Sequence, residues 1–307
     1  MRAGLLPPRF LTISPLVVMS LVFEVPAESP FATEVIDFQP GRGGVPGYDL
    51  PAAALGTPTR MTGGDFLPEA ITPFQPAWLP QEIVSLGIGG SITLAFDHDV
   101  LDDPSNPFGI DLLIFGNAFC TDPAYPAAVC GGFYAEGGQV EVSFDGIDWR
   151  IVPDLAADGA FPTVGWLDTG PYDTVPGSKP TDFTRPVDPA LESNLQGLDF
   201  DAIMVGYDGA GGGTGIDLAI VGLPAVRFVR ISNDGLGFTP EIDAIADVSP
   251  ARSNPQDPDL DGNGTVGGGD LGLMLVAWGT TGPLGDLNDD GLVSGPDLGL
   301  LLVAWDG

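Results

Sequence analysis

Two stretches near the C-terminus set oxygen donors at the spacing that a calcium ion needs. They are Asp259-Leu-Asp-Gly-Asn-Gly-Thr-Val-Gly-Gly-Gly-Asp270 and Asp286-Leu-Asn-Asp-Asp-Gly-Leu-Val-Ser-Gly-Pro-Asp297. The first offers Asp259, Asp261, Asn263 and Asp270 at loop positions 1, 3, 5 and 12; the second offers Asp286, Asn288, Asp290 and Asp297 there. Ca²⁺ takes six to eight hard oxygens at about 2.3–2.6 Å, and alternate residues of a curled loop point inward to supply them. Position 7 adds a backbone carbonyl, from Thr265 and Leu292, so its side chain is free to vary. Gly264 and Gly291 at position 6 permit the sharp turn. Three carboxylates and one amide per loop repel one another without a cation, and the pattern occurs twice in register, 27 residues apart. Two calcium ions are expected.

Other candidate chemistry is thinner. Asp97, Asp99, Asp102 and Asp103 form a third acidic group, which reads either as a solvated loop or as a third calcium site. His98, the one histidine, lies within it, flanked by two Asp and with no Gly-x-Ser-x-Gly elbow anywhere in the chain, so a serine triad is disfavoured. A glycosidase needs only two suitably spaced carboxylates, and with Asp+Glu at 42 any single pair is uninformative. Cys120 and Cys130 lack the Cys-x-x-Cys spacing of a redox pair and are expected to form a disulfide that staples a loop. Phe161, Trp166, Tyr172 and Phe183 are aromatics that either line a glycan groove or fold their own segment back onto the domain. The net charge of −32, with Lys+Arg at 10, excludes nucleic acid as a partner, because a phosphate backbone must be met by clustered cations.

The elements that hold these residues follow from the pattern of the chain. Residues 1–27 carry Arg2 and Arg9, an apolar run from Leu11 to Phe23 and small residues at Val25 and Ala27, the layout of a secretory signal. The apolar run is too short to span a bilayer, so no transmembrane segment is expected in the mature chain, which is placed outside the cell or on its surface. From 28 to 248 the chain alternates short apolar strands with Gly, Pro and Asp. The expected strands are 91–96, 110–115, 140–144, 149–152, 202–206, 217–221, 226–231 and 241–245, with a hairpin turn at Asp145-Gly146. A long insertion with little periodicity occupies 154–197. Polar, proline-rich residues 249–258 form a linker, and 259–307 hold the repeat, each loop followed by an apolar run, 271–278 and 298–305. The expected fold is mainly β, an antiparallel jelly-roll or β-sandwich, followed by a small α module of two calcium loop–helix repeats.

With no helix before each loop, Asp rather than Glu at position 12 and an apolar run after it, residues 259–307 resemble dockerin type I repeats. That resemblance implies two short helices packed about a pseudo-twofold and a cohesin-like protein partner. Loop positions 10 and 11 depart from the cohesin-recognising members: they are Gly268-Gly269 and Gly295-Pro296, and the apolar runs carry no charge. The segments 49–58, 86–94, 114–119, 140–146, 211–218 and 226–231 resemble the discoidin-like, galactose-binding-type sandwiches of secreted bacterial cell-surface proteins. The resemblance implies adhesion, with a glycan as the sandwich ligand. Calcium-dependent, non-enzymatic attachment at the cell surface is the leading expectation. Two others stay open: a dockerin-tagged extracellular enzyme or accessory subunit that hydrolyses O-glycosyl bonds, and a purely structural envelope protein.

Overall fold

The computed structural model describes residues 29–233, 235, 238–248, 258, 260, 265–280, 285–287 and 292–305. The expected signal segment, residues 249–257 of the expected linker, and Asp259, Asp261, Asn263, Asn288 and Asp290 lie outside the described residues. The protein is mainly β, 29% strand against 17% helix, and its strands pair antiparallel.

The first strands are β1 (Glu34–Gln39), β2 (Met61–Thr62), β3 (Glu69–Ala70), β4 (Val84–Ser85) and β5 (Ser91–Leu101). Then come β6 (Leu112–Gly116), β7 (Phe119–Thr121), β8 (Gly132–Tyr134), β9 (Gln139–Ser143) and β10 (Arg150–Ile151). After the helix α1 (Phe200–Tyr207) follow β11 (Thr214–Ile216), β12 (Ala225–Ser232) and β13 (Glu241–Asp247). Two nine-residue helices, α2 (Gly268–Val276) and α3 (Gly295–Val303), close the described chain.

One sheet runs β1-β5-β12-β9-β10 and a second runs β11-β6-β13-β4. Alternation decides which residues meet. In β5, Ile92, Leu94 and Phe96 point into a cluster that also takes Val142, Val229 and Ile231 from the same sheet and Leu112, Ile114, Ile242 and Ile245 from the other. Each such side chain stabilises the fold by roughly 1.5–3 kcal/mol. The opposite face of β6 is apolar too: Leu113 and Phe115 pack with Phe183, Ala244 and Ala246. That double coverage explains why 110–115 reads as uniformly apolar rather than alternating.

Two expected strands are helical. Residues 202–206 lie in α1, because Asp199 caps its start by accepting a hydrogen bond from the Ala202 N–H (2.9 Å) and Asp208 ends it in the left-handed conformation. Phe200, Ile203 and Tyr207, spaced three and four apart, give α1 its buried face. Residues 218–221 form a 3₁₀ turn capped in the same way by Asp217, whose Oδ1 accepts from the Ala219 N–H at 2.8 Å. Both runs are short and apolar, so periodicity alone does not separate helix from strand; the capping Asp decides.

The 154–197 segment packs as core. Phe161, Val164, Val187 and Leu195 join α1 and the Cys120–Cys130 disulfide in one buried cluster. Arg60 ties the segment down: its guanidinium lies 4.0 Å from the Phe183 ring centroid and donates to Gly165 O, Thr181 Oγ1 and Thr181 O. Tyr172 reaches the disulfide loop by donating to Asp122 Oδ2 at 2.7 Å. The aromatics considered for a glycan groove are therefore taken up inside the fold. Phe161 and Phe183 are buried, and Trp166 and Tyr172 are half-buried with hydrogen-bonded polar tips.

Candidate metal centres

The described parts of the two C-terminal repeats align at 27 residues, with the same Asp-Leu-Gly-Leu and Leu-Val-Ala-Trp runs on either side of Met274 and Leu301. Each helix has its position-12 Asp as third residue, Asp270 in α2 and Asp297 in α3, and both are fully buried. Asp270 Oδ2 accepts from the Gly267 N–H and Asp297 Oδ2 from the Ser294 N–H, each at 2.7 Å. Asp297 Oδ1 also accepts from the Leu287 N–H at 2.8 Å, which ties position 12 of the second loop back to position 2. Asp286, at position 1, is 7% exposed. Val266, Met274, Leu287, Val293 and Leu301 form the core between the repeats, and Val293 exchanges backbone hydrogen bonds with Gly279 and Thr280. A buried carboxylate is costly unless its charge is met. Of the expected ligands, the carboxylates of Asp270, Asp286 and Asp297 and the backbone carbonyls of Thr265 and Leu292 are hard oxygens, a donor set that fits calcium. The other five expected ligands lie outside the described residues.

The acidic group at 97–103 divides. Asp97 Oδ1 lies 2.9 Å from His98 Nδ1, and that hydrogen bond holds the Asp97 carboxyl below its ordinary pKa. Asp99 takes Arg227, with Oδ1 2.6 Å from Nη2 and 2.9 Å from Nε. Asp103 Oδ1 accepts from the backbone and hydroxyl of Ser105. Only Asp102 joins a convergent group, and its companions are Asp111 and Asp217: one carboxylate oxygen from each lies within 4.8 Å of the others. They stand at three strand ends, since Asp102 follows β5, Asp111 precedes β6 and Asp217 follows β11. Reading along the chain picks neighbours in sequence, whereas successive strand residues face opposite ways and the sheet brings distant ends together. The Asp that heads the apolar 110–115 run and the capping Asp217 are the available signals.

Asp111 is fully buried. Its Oδ1 accepts from the Asp103 N–H (3.0 Å) and Asn106 Nδ2 (2.8 Å), and its Oδ2 from the Leu218 N–H (2.9 Å). Burial pushes its carboxyl above the ordinary value and the Asp102 charge adds to this, while the three hydrogen bonds oppose it.

His98 joins the two sheets: Nε2 lies 3.0 Å from Asp247 Oδ2 at the end of β13. A second carboxyl group, which sequence reading missed, gathers around Glu136, Asp158 and Glu241. Asp158 is fully buried, accepts from the Ala118 N–H at 3.0 Å, and is pushed up to about 8 by burial and the Glu136 charge. Glu136 rises to about 7, by burial and the Glu241 charge, and lines a cleft of about 640 Å³ together with Asp154, Ile151, Leu155 and Phe238. A carboxyl poised there can give or take a proton near neutral pH. No family model, no curated protein and no solved structure matches this chain.

Proposed function

We propose that the protein is an exported attachment protein in which a calcium-dependent, dockerin-like repeat tethers a jelly-roll-type β-sandwich to a cell-surface component. One observation carries this reading. Both repeats bury the position-12 Asp completely and turn the same uncharged pair outward, Leu275-Val276 in α2 and Leu302-Val303 in α3. Val276 and Val303 are 83% and 87% exposed, so each repeat presents an apolar spot in an equivalent place. Two such spots suit a partner that offers apolar contact. Gly268-Gly269 and Gly295-Pro296 remove the polar groups through which cohesin-recognising relatives act, so the partner is cohesin-like in role and meets a more apolar surface. The fold of the β region supports glycan recognition only by analogy.

The test is a pulldown from the source organism's secreted and envelope fractions. Capture in calcium, loss on chelation and loss with Leu275→Lys plus Leu302→Lys support the reading; capture indifferent to all three overturns it. A hydrolytic reading rests on Glu136 at the 640 Å³ cleft. It predicts polysaccharide cleavage by the purified chain that Glu136→Gln abolishes.

A further inference from the structure

We infer that Asp102, Asp111, Asp217 and Asn106 form a third cation site, at the strand ends of the β region, with the donor chemistry for calcium. Four features converge. The first is proximity: three carboxylates from three strand ends converge, and a Ca²⁺ ion takes oxygens of this kind at about 2.3–2.6 Å. One carboxylate oxygen from each Asp lies within 4.8 Å of the others, so small side-chain adjustments bring all three to one ion.

The second is an unpartnered donor. Asn106 is 5% exposed and its Nδ2 is bonded to Asp111 Oδ1, so its amide sits against the cluster. The Oδ1 of that same amide is buried with no hydrogen-bond partner. A buried amide carbonyl left without a donor is costly, and a cation is a partner that three neighbouring carboxylates attract and no N–H supplies.

The third is charge. None of the ion pairs among the described residues involves Asp102, Asp111 or Asp217. Among those residues, three acids therefore face one another with no Lys or Arg paired to them.

The fourth is construction. Gly109, at φ +70, turns the 102–111 loop back so that a Cβ there would lie 3.7 Å from Asp217 Oδ2. The remaining lone pair of Asp111 Oδ2, which accepts one hydrogen bond, is available to a ligand. The site is independent of the C-terminal repeat and stands whether or not those loops bind metal.

The experiment uses the full mature chain, stripped of metal and carrying Asp259→Ala with Asp286→Ala to silence the C-terminal loops. Calorimetric titration with CaCl₂ is expected to find one remaining equivalent, and calcium is expected to raise the melting temperature of the β region by several degrees. Adding Asp102→Asn and Asp217→Asn is expected to weaken that binding at least 100-fold and to remove the thermal shift. Asp217→Asn keeps a side-chain oxygen to cap the Leu218–Val221 turn, and the Asp102 side chain makes no hydrogen bond among the described residues, so both replacements leave the fold in place. In metal-free buffer the same two replacements are expected to raise the melting temperature, because they relieve like-charge repulsion. That reversal of sign between calcium and chelator is what a merely structural role for these acids would not produce. A flat titration of the silenced chain, or binding unaltered by Asp102→Asn with Asp217→Asn, overturns the inference. If Asp259→Ala with Asp286→Ala removes no equivalents, it is the C-terminal reading that fails, and the Asp102/Asp217 comparison still reports on this site.

Discussion

The β region and the C-terminal repeat both bury aspartates, and we read the pair Asp243 and Asp158 of the first as handling its charge differently from the pair Asp270 and Asp297 of the second. Asp243 in β13 is 2% exposed, accepts from the Thr59 N–H and hydroxyl, and is pushed up to about 8 by burial. Asp158 likewise rises to about 8. Near neutrality these groups are buried largely as neutral acids. Asp270 and Asp297 are just as buried and accept from the Gly267 and Ser294 N–H groups, and in our reading calcium meets their charge. In this reading protonation serves Asp243 and Asp158 while metal serves Asp270 and Asp297, so the two pairs should respond to pH and to chelation differently.

The strongest way to break this comparison is to attack the metal side alone. In calcium-saturated buffer, Asp270→Ala with Asp297→Ala is expected to unfold the repeat and lower its calcium affinity at least 100-fold, about 2.8 kcal/mol or more. The β-region melting transition should stay where it was, which circular dichroism and limited proteolysis can follow separately. A shift of both transitions together would mean that the regions are not distinct.

The pH response comes next in size. For Asp243 and Asp158 the folded pKa of about 8 lies above the ordinary aspartate value of 3.8, so between these pH values the folded chain retains protons that the unfolded chain has released. Their contribution is full below about pH 4 and falls by up to about 1.4 kcal/mol per group per pH unit until about pH 8. Denaturant midpoints of the metal-free β region should therefore drop from about pH 5 to about pH 8, and Asp243→Asn should remove one group's share of the slope. The calcium loops need ionised carboxylates, so their affinity should hold or rise over the same range.

Smaller effects sharpen the contrast. Arg60→Ala leaves Gly165 O and Thr181 O without their guanidinium donor and is expected to cost about 3 kcal/mol, equally with and without calcium. Replacing Cys120 and Cys130 by Ser opens a loop closed at a sequence separation of 10. That change should cost about 2–3 kcal/mol, again independently of metal. Leu275→Lys and Leu302→Lys change exposed positions and should move stability by less than about 0.5 kcal/mol while abolishing partner capture.

What can be read from the chain follows from how local each signal is. Strand β9 and the turn at Asp145-Gly146 are specified by alternation and turn chemistry within a few residues, and Arg150 pairs with Val142 as that hairpin requires. The match between Asp270 and Asp297 is legible because the repeat carries its own register. Residues 202–206 and 217–221 look like strands by composition, yet Asp199 and Asp217 convert each apolar run into a capped turn of helix. The burial of Phe161 and Phe183 depends on α1 and on Arg60, which lies far away in sequence. No local pattern carries that information. The Asp102, Asp111 and Asp217 group is invisible for the same reason, since it exists only once three strand ends meet.

The central claim is that the C-terminal repeat is held by calcium, and the most direct measurement is isothermal titration of Ca²⁺ into the metal-free mature chain beside its Asp270→Asn, Asp297→Asn counterpart. The account predicts that the paired substitution removes two tight equivalents and leaves the β-region binding in place. Identical stoichiometry and heats in the two chains would contradict it.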